Sequence, residues 1–223
     1  MTSRRALVLG GTGMLADCVA ALLAEGWQVV TPTRHPREIH AEPETSSEPP
    51  RPGAAARAAL GPPGQVPTGQ VPTGQAPTGQ APAGRTPTDR RREPAVSRWV
   101  AADWAEPDRL ASTAAEALGG PADLLVAWVR PPHREAVLRA VAPLLASTAP
   151  VVEVRGSGEP SEPPVLAGHP THVVVLGLGQ GGGVSRWLTH GEISTGVFAV
   201  ARRALAGDPP GIHLIGEPGA WRR

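Results

Sequence analysis

The chain reads as an α/β protein with a doubly wound, mostly parallel sheet, and three observations predict it. Apolar runs of strand length alternate with stretches of helical period along the sequence. The first apolar run, Ala6–Leu9, ends in a glycine turn that opens a helix. A later run, Asp123–Val129, is continuously apolar after its first residue, as in a parallel strand buried on both faces.

Taken in order, the first strand leads through Gly10-Gly11-Thr12-Gly13-Met14-Leu15-Ala16 into a helix over Asp17–Glu25 and a second strand over Gln28–Thr31. Residues 36–96 differ from the rest. They are dominated by Pro, Gly, Ala, Arg and Glu, and residues 64–88 repeat a pentad beginning Gly64-Gln65-Val66-Pro67-Thr68. A proline in every pentad removes a backbone donor, and a glycine in every pentad adds chain entropy. Such a segment buries too little apolar surface to offset its ordering. It is expected to be a disordered, partly polyproline-like insertion in a single domain spanning 1–223, with no function of its own.

Beyond it, Trp99–Ala102 is the third strand and Glu106–Leu118 a helix with Leu110, Ala114 and Leu118 on one stripe. Gly119-Gly120-Pro121 stops that helix. Asp123–Val129 is the fourth strand, Glu135–Ala146 a helix, Val151–Val154 the fifth strand and His172–Leu176 the sixth. Thr189–Leu205 is a long helix whose Thr189 and Glu192 form a capping box, and Ile212–Ile215 is the last strand.

The glycine turn carries the main functional signal. In the pattern G-x-G-x-x-A, Gly11 is expected to allow the tight turn, Gly13 to let the backbone approach a pyrophosphate, and Ala16 to let helix and strand pack closely. The helix N-terminus then presents free N–H groups to the phosphates. This is the dinucleotide-binding turn of a Rossmann sheet, so Gly10, Gly11, Thr12, Gly13, Met14 and Leu15 are expected to bind a nicotinamide dinucleotide. An NAD site usually places a carboxylate at the end of the second strand. Here the sequence is Thr31-Pro32-Thr33-Arg34-His35, without one. The Arg34 guanidinium suits a 2′-phosphate, and Thr33 adds a hydroxyl. The expected cofactor is therefore NADP rather than NAD.

Composition excludes other classes. A formal charge of +1 argues against nucleic acid and anionic membrane as partners. No apolar stretch is long enough to span a bilayer. Arg4-Arg5 before an apolar run superficially resembles a signal peptide, but Asp17 and Glu25 interrupt that run. The lone Cys18 forms no internal disulfide, fits a reducing cytoplasm and is expected to be packing. The seven histidines show no metal-ligand spacing, so no metal is expected.

These residues resemble the short-chain dehydrogenase/reductase superfamily, in a small atypical branch. Leu9–Ala16, Arg34, Asp103-Trp104 after the third strand, the Leu124–Val129 strand and Ser185–Val197 carry the resemblance. It implies a role for Asp103 at the adenine, against the plainer reading of a helix cap. Trp104 and Trp128 are expected beside the same cofactor, Trp128 as a stacking surface or simply a core aromatic at a strand end. The family's usual chemistry runs through a Tyr, a Lys four residues later and a Ser after the fifth strand. This chain has no tyrosine and no lysine, and the Pro-rich stretch Glu159–Pro164 does not suit the catalytic helix. Ser157 stands where the family's serine would. His190, in a turn with Arg186 and Trp187, is the remaining candidate proton donor, because imidazole titrates near neutrality. Arg130 is a candidate for an anionic substrate group. Two readings follow: an NADP(H)-dependent oxidoreductase acting on a small carbonyl or alcohol, and a non-catalytic dinucleotide-binding sensor or partner-binding module.

Overall fold

The structure, a computed structural model, describes residues 4–34, 95–158, 162–181 and 184–218. The expected insertion and its pentad repeat lie outside the described residues, apart from residues 95 and 96. Those two already belong to the sheet's surroundings, since the Val96 carbonyl accepts from the Val29 N–H at 2.9 Å. The insertion reading therefore ends sooner than residue 96.

Seven parallel strands form the central sheet in the order β3-β2-β1-β4-β5-β6-β9. They are β1 (Arg5–Leu9), β2 (Gln28–Thr33), β3 (Ser97–Ala101), β4 (Leu124–Ala127), β5 (Val151–Gly156), β6 (Thr171–Leu176) and β9 (Ile212–Ile215). The order reverses between β1 and β4, and in such a sheet ligands bind beyond the carboxyl ends of the strands at that point. Helices α1 (Ala16–Ala24) and α4 (His190–Leu205) cover one face; α2 (Pro107–Leu118) and α3 (Arg134–Val141) cover the other.

Each helix is placed by a buried stripe and bounded by local chemistry. Helix α1 buries Cys18, Val19, Leu22 and Leu23 against Ala6, Val8 and Val29, and Gly26 turns the chain at φ +85°. Helix α2 starts at Pro107, where a missing N–H costs nothing, buries Leu110, Ala114 and Leu118, and ends at a left-handed Gly119. Helix α3 stops at Val141, short of the expected Ala146. Pro143 follows in a 3-10 turn over Ala142–Leu144, and without a backbone N–H it cannot continue the helical hydrogen-bond ladder. Helix α4 opens with the expected capping box: the Thr189 hydroxyl accepts from the Glu192 N–H, and the Glu192 carboxylate accepts from the Thr189 N–H.

One feature was not legible in the sequence. Between β6 and α4 the chain forms an antiparallel hairpin, β7 (Leu178–Gly181) and β8 (Val184–Trp187), which the glycine-rich sequence did not announce. Between β5 and β6 the described residues contain no helix, in keeping with the prolines there.

Under the amino ends of β6 and β9, His172 and His213 stack with ring centroids 5.2 Å apart, and His172 Nδ1 lies 3.0 Å from His213 Nε2. His172 is fully buried. Desolvation lowers both pKa values below the usual imidazole value; the charge of Arg203 adds to this at both rings and that of His213 at His172, and Asp208 opposes it. A base whose folded-state pKa is depressed is more easily protonated when unfolded. The pair's contribution is thus whole above about pH 6.5 and is lost as pH falls through the lowered folded-state value. The melting temperature is expected to drop between pH 7.5 and pH 5, and to drop less in His172→Leu. Equal drops in the two proteins would assign the acid sensitivity to other groups.

Candidate dinucleotide and substrate site

The glycine turn sits at the sheet's reversal point, but its glycines divide the work differently from the sequence expectation. Gly10, not Gly11, makes the turn. Its φ is +90°, and a Cβ there would stand 3.1 Å from the Trp128 carbonyl oxygen. Gly11 is the close-packing position, where a Cβ would meet Thr31 Cγ2 at 2.8 Å and Val19 Cγ2 at 2.9 Å. Gly13 is exposed, and a Cβ there would find only the Gly10 carbonyl oxygen, at 3.9 Å. The backbone is therefore bare at this position.

Two side chains hold the turn in place. Thr12 Oγ1 and Thr33 Oγ1 lie 3.0 Å apart, tying the turn to the end of β2. The Ser194 hydroxyl of α4 donates to the Met14 carbonyl at 2.7 Å. Ser194 is buried and had no signal in the sequence beyond a polar residue on the apolar stripe of a helix. Strand β2 runs two residues further than expected, so Thr33 is its last residue and Arg34 follows, exposed.

Trp104, Trp128, Arg130, Gly10 and Met14 line a hollow of about 140 Å³ beside the turn. Asp103 is exposed and is not among its lining residues; its carboxylate accepts from the Ala105 N–H at 3.0 Å in the turn before α2. A second cavity, of about 200 Å³, shares Met14 and Trp128 with the first. Ser157, Leu176, Trp187 and Ile193 complete most of its wall, with Gly156, Gly177 and Leu188 between them. The structure thus brings Ser157 and Trp128 to one cavity. His190 begins α4, exposed, two residues past Leu188, and is not on that wall.

Arg186, grouped with Trp187 and His190 in the sequence, is engaged elsewhere. Its two terminal nitrogens donate to the two Glu192 carboxylate oxygens at 2.8 Å each, which docks the hairpin on the start of α4. The Arg186 hydrogen bond, helped by the Thr189 N–H and hydroxyl, pulls the Glu192 carboxyl down to about 2. Cys18 is packing: burial, and Asp17 beside it, push its thiol up to about 12, far from a reactive thiolate.

Beneath the loop after Ser157 lies a charged cluster that sequence reasoning missed. Glu153 and Arg155 on β5 and Arg134 on α3 are all buried. Arg155 donates through Nε to Glu153 at 2.9 Å and grips the backbone carbonyls of Glu162 and Pro163. Arg134 donates to the Glu162 carboxylate at 2.7 Å and lies 3.6 Å from that of Glu153. Alternation offered a signal: two charged residues on one face of an otherwise apolar inner strand.

No protein-family model matches the chain, and no curated protein matches it in sequence. Solved structures match its fold. An NADH-dependent reductase solved with NAD aligns over 98% of this chain and 96% of its own, at 13% identity and a TM-score of 0.55. A short-chain dehydrogenase/reductase from Serratia marcescens aligns over 97% and 98%, at 11% identity and a TM-score of 0.51. A short-chain dehydrogenase/reductase from Brucella melitensis, described as glucose/ribitol dehydrogenase, aligns over 99% and 97%, at 10% and 0.51. With the reversal point, the glycine turn and the strand order in place, the chain has the fold of the short-chain dehydrogenase/reductase superfamily.

Proposed function

We propose that the chain binds NADPH across the glycine turn and is an oxidoreductase acting on a small carbonyl or alcohol. The observation that carries this reading is Gly13: a bare backbone position at the sheet's reversal point, open where a side chain would obstruct a pyrophosphate. The Thr12–Thr33 contact brings two hydroxyls to the end of β2, and Arg34 follows them without a neighbouring carboxylate in Thr31–His35. That combination supports NADP over NAD, although one structural neighbour is NADH-dependent. Trp104 and Trp128 flank the hollow next to the turn, and Asp103 stands at the adenine end by resemblance. The lone buried thiol is in keeping with a cytoplasmic setting.

When bound, such a cofactor supplies a hydride at its nicotinamide. The protein's part is to orient the substrate and move one proton. The Ser157 hydroxyl can hold a carbonyl oxygen in the cavity. With no tyrosine or lysine in the sequence, the proton comes from His190 or from water. NADPH oxidation is to be followed against a carbonyl library over pH 5–9. Simple ketones accepted by usual family members are expected to turn over poorly. A proton-donor role for His190 requires His190→Ala to lose roughly 100-fold or more, the usual contribution of positioned proton transfer. Full activity in that variant assigns the proton to water.

The missing Tyr and Lys, with no helix among the described residues between β5 and β6, favour a second reading: a dinucleotide-binding sensor without catalysis. Tight NADPH binding with no turnover on any carbonyl would select it.

A further inference from the structure

We infer, building on the oxidoreductase reading, that the cavity between the glycine turn and the β7–β8 hairpin takes an uncharged, flat, single-ring carbonyl compound, of the aryl ketone or aryl aldehyde class, against Trp128 and Trp187. Three observations on its wall carry this.

The first is charge. No described residue lining the cavity is ionisable. The guanidiniums that adjoin its wall in sequence are engaged elsewhere, Arg186 on Glu192 through two hydrogen bonds of 2.8 Å and Arg155 on Glu153 at 2.9 Å, and Arg130 lines the neighbouring hollow instead. A carboxylate or phosphate placed here would lose its hydration with nothing to replace it, so keto acids and phosphorylated substrates are excluded. The second is hydrogen-bonding sense. Of the residues on the wall, Ser157 carries a hydroxyl, and Trp128 and Trp187 carry indole N–H groups that donate and cannot accept. They suit a ligand with an acceptor oxygen. The third is size and surface. A volume of about 200 Å³ is somewhat larger than the ~150 Å³ apolar cavity that holds benzene, leaving room for one ring and a short substituent. Trp187 is 73% exposed although it lines this cavity, so its indole has a large face to bury on a flat ligand. Rings prefer such offset or edge-on aromatic contacts.

The test is binding to the full chain, read by tryptophan fluorescence and indole N–H chemical shifts, with acetophenone, cyclohexyl methyl ketone and benzoate as probes. Acetophenone is expected to bind at least tenfold tighter than either of the others. Trp187→Ala is expected to weaken it about tenfold, in line with loss of an aromatic contact and its buried area. Because Trp187 is exposed, that variant keeps its fold; Ser157→Ala, which removes one donor, is expected to weaken the ketone by a smaller factor. Benzoate or the saturated ketone binding as well as acetophenone would overturn the inference. So would unaltered affinity in Trp187→Ala. Acetophenone is also expected to bind in saturating NADPH; exclusion by NADPH would give the cavity to the dinucleotide's own ring and overturn the assignment. Binding of acetophenone to the NADPH complex without NADPH oxidation leaves the ring site standing and removes only the oxidoreductase reading.

Discussion

Glu153→Gln is expected to cost about 3–5 kcal/mol, the usual loss when one partner of a buried ion pair is removed. The carboxylate is 1% exposed and stands between two guanidiniums, with Arg155 2.8–2.9 Å away and Arg134 at 3.6 Å. A glutamine leaves Arg155 buried without the Glu153 charge, and takes from Arg134 a buried counter-charge that Glu162, whose side chain is 58% exposed and therefore well screened, replaces only in part. At roughly 2–4 °C per kcal/mol for a domain of this size, the melting temperature should fall by roughly 6–20 °C. Replacing Glu153 and Arg155 together by Met should recover part of the loss, since burying neither charge avoids both desolvation penalties. Recovery should be incomplete, because Arg155 also holds the carbonyls of Glu162 and Pro163. Those contacts anchor the chain on its way back from Ser157. The cluster thus fixes Glu162 and Pro163 between β5 and β6. A melting temperature within about 2 °C of wild type in Glu153→Gln would show that solvent reaches the cluster.

Gly13→Asp is expected to abolish dinucleotide binding, by 100-fold or more, while leaving the fold intact. The position is exposed, its φ is not positive, and a Cβ meets nothing closer than 3.9 Å. An added carboxylate would face the pyrophosphate, where unit charges 4 Å apart at a protein surface repel by about 4 kcal/mol. Gly11→Ala should do the reverse. Its Cβ would lie 2.8–2.9 Å from Thr31 and Val19 and 3.1 Å from Val8, three groups in the packed interior. Overpacking of this kind costs about 1–3 kcal/mol. Thermal denaturation and a cofactor titration on both variants separate the roles. Unchanged affinity in Gly13→Asp would mean that phosphates do not pass there.

Much of the architecture was legible because each helix carries a stripe or a cap. Leu110, Ala114 and Leu118 marked α2, and Thr189 with Glu192 marked the start of α4. What was hidden depends on contacts distant in sequence. The need for a glycine at position 10 comes from distant chain: a Cβ on Gly10 would stand 3.1 Å from the carbonyl oxygen of Trp128, just past β4 and more than a hundred residues away. The hairpin escaped notice because Gly177–Gly183 has no apolar alternation; its pairing rests on backbone hydrogen bonds between β7 and β8 and on a bridge from Leu178 to Glu217. Arg186 read as a neighbour of Trp187 and His190 in one turn, and the hairpin folds it onto Glu192. In the site, the glycine turn and Ser157 could be placed from sequence, because strand ends in this fold converge on one crevice. Ser194 and the Glu153 cluster could not, since a polar residue gives no sign of its buried partner.

We propose that the turn and the end of β2 together select NADPH. Isothermal titration of NADPH and NADH into the full chain, and into Arg34→Ala, tests it most directly. NADPH is predicted to bind at least tenfold tighter than NADH, and Arg34→Ala to lose about 1.5–3 kcal/mol for NADPH alone, the worth of a charge-assisted pair. Equal affinity for the two dinucleotides, or binding of neither, would contradict the account.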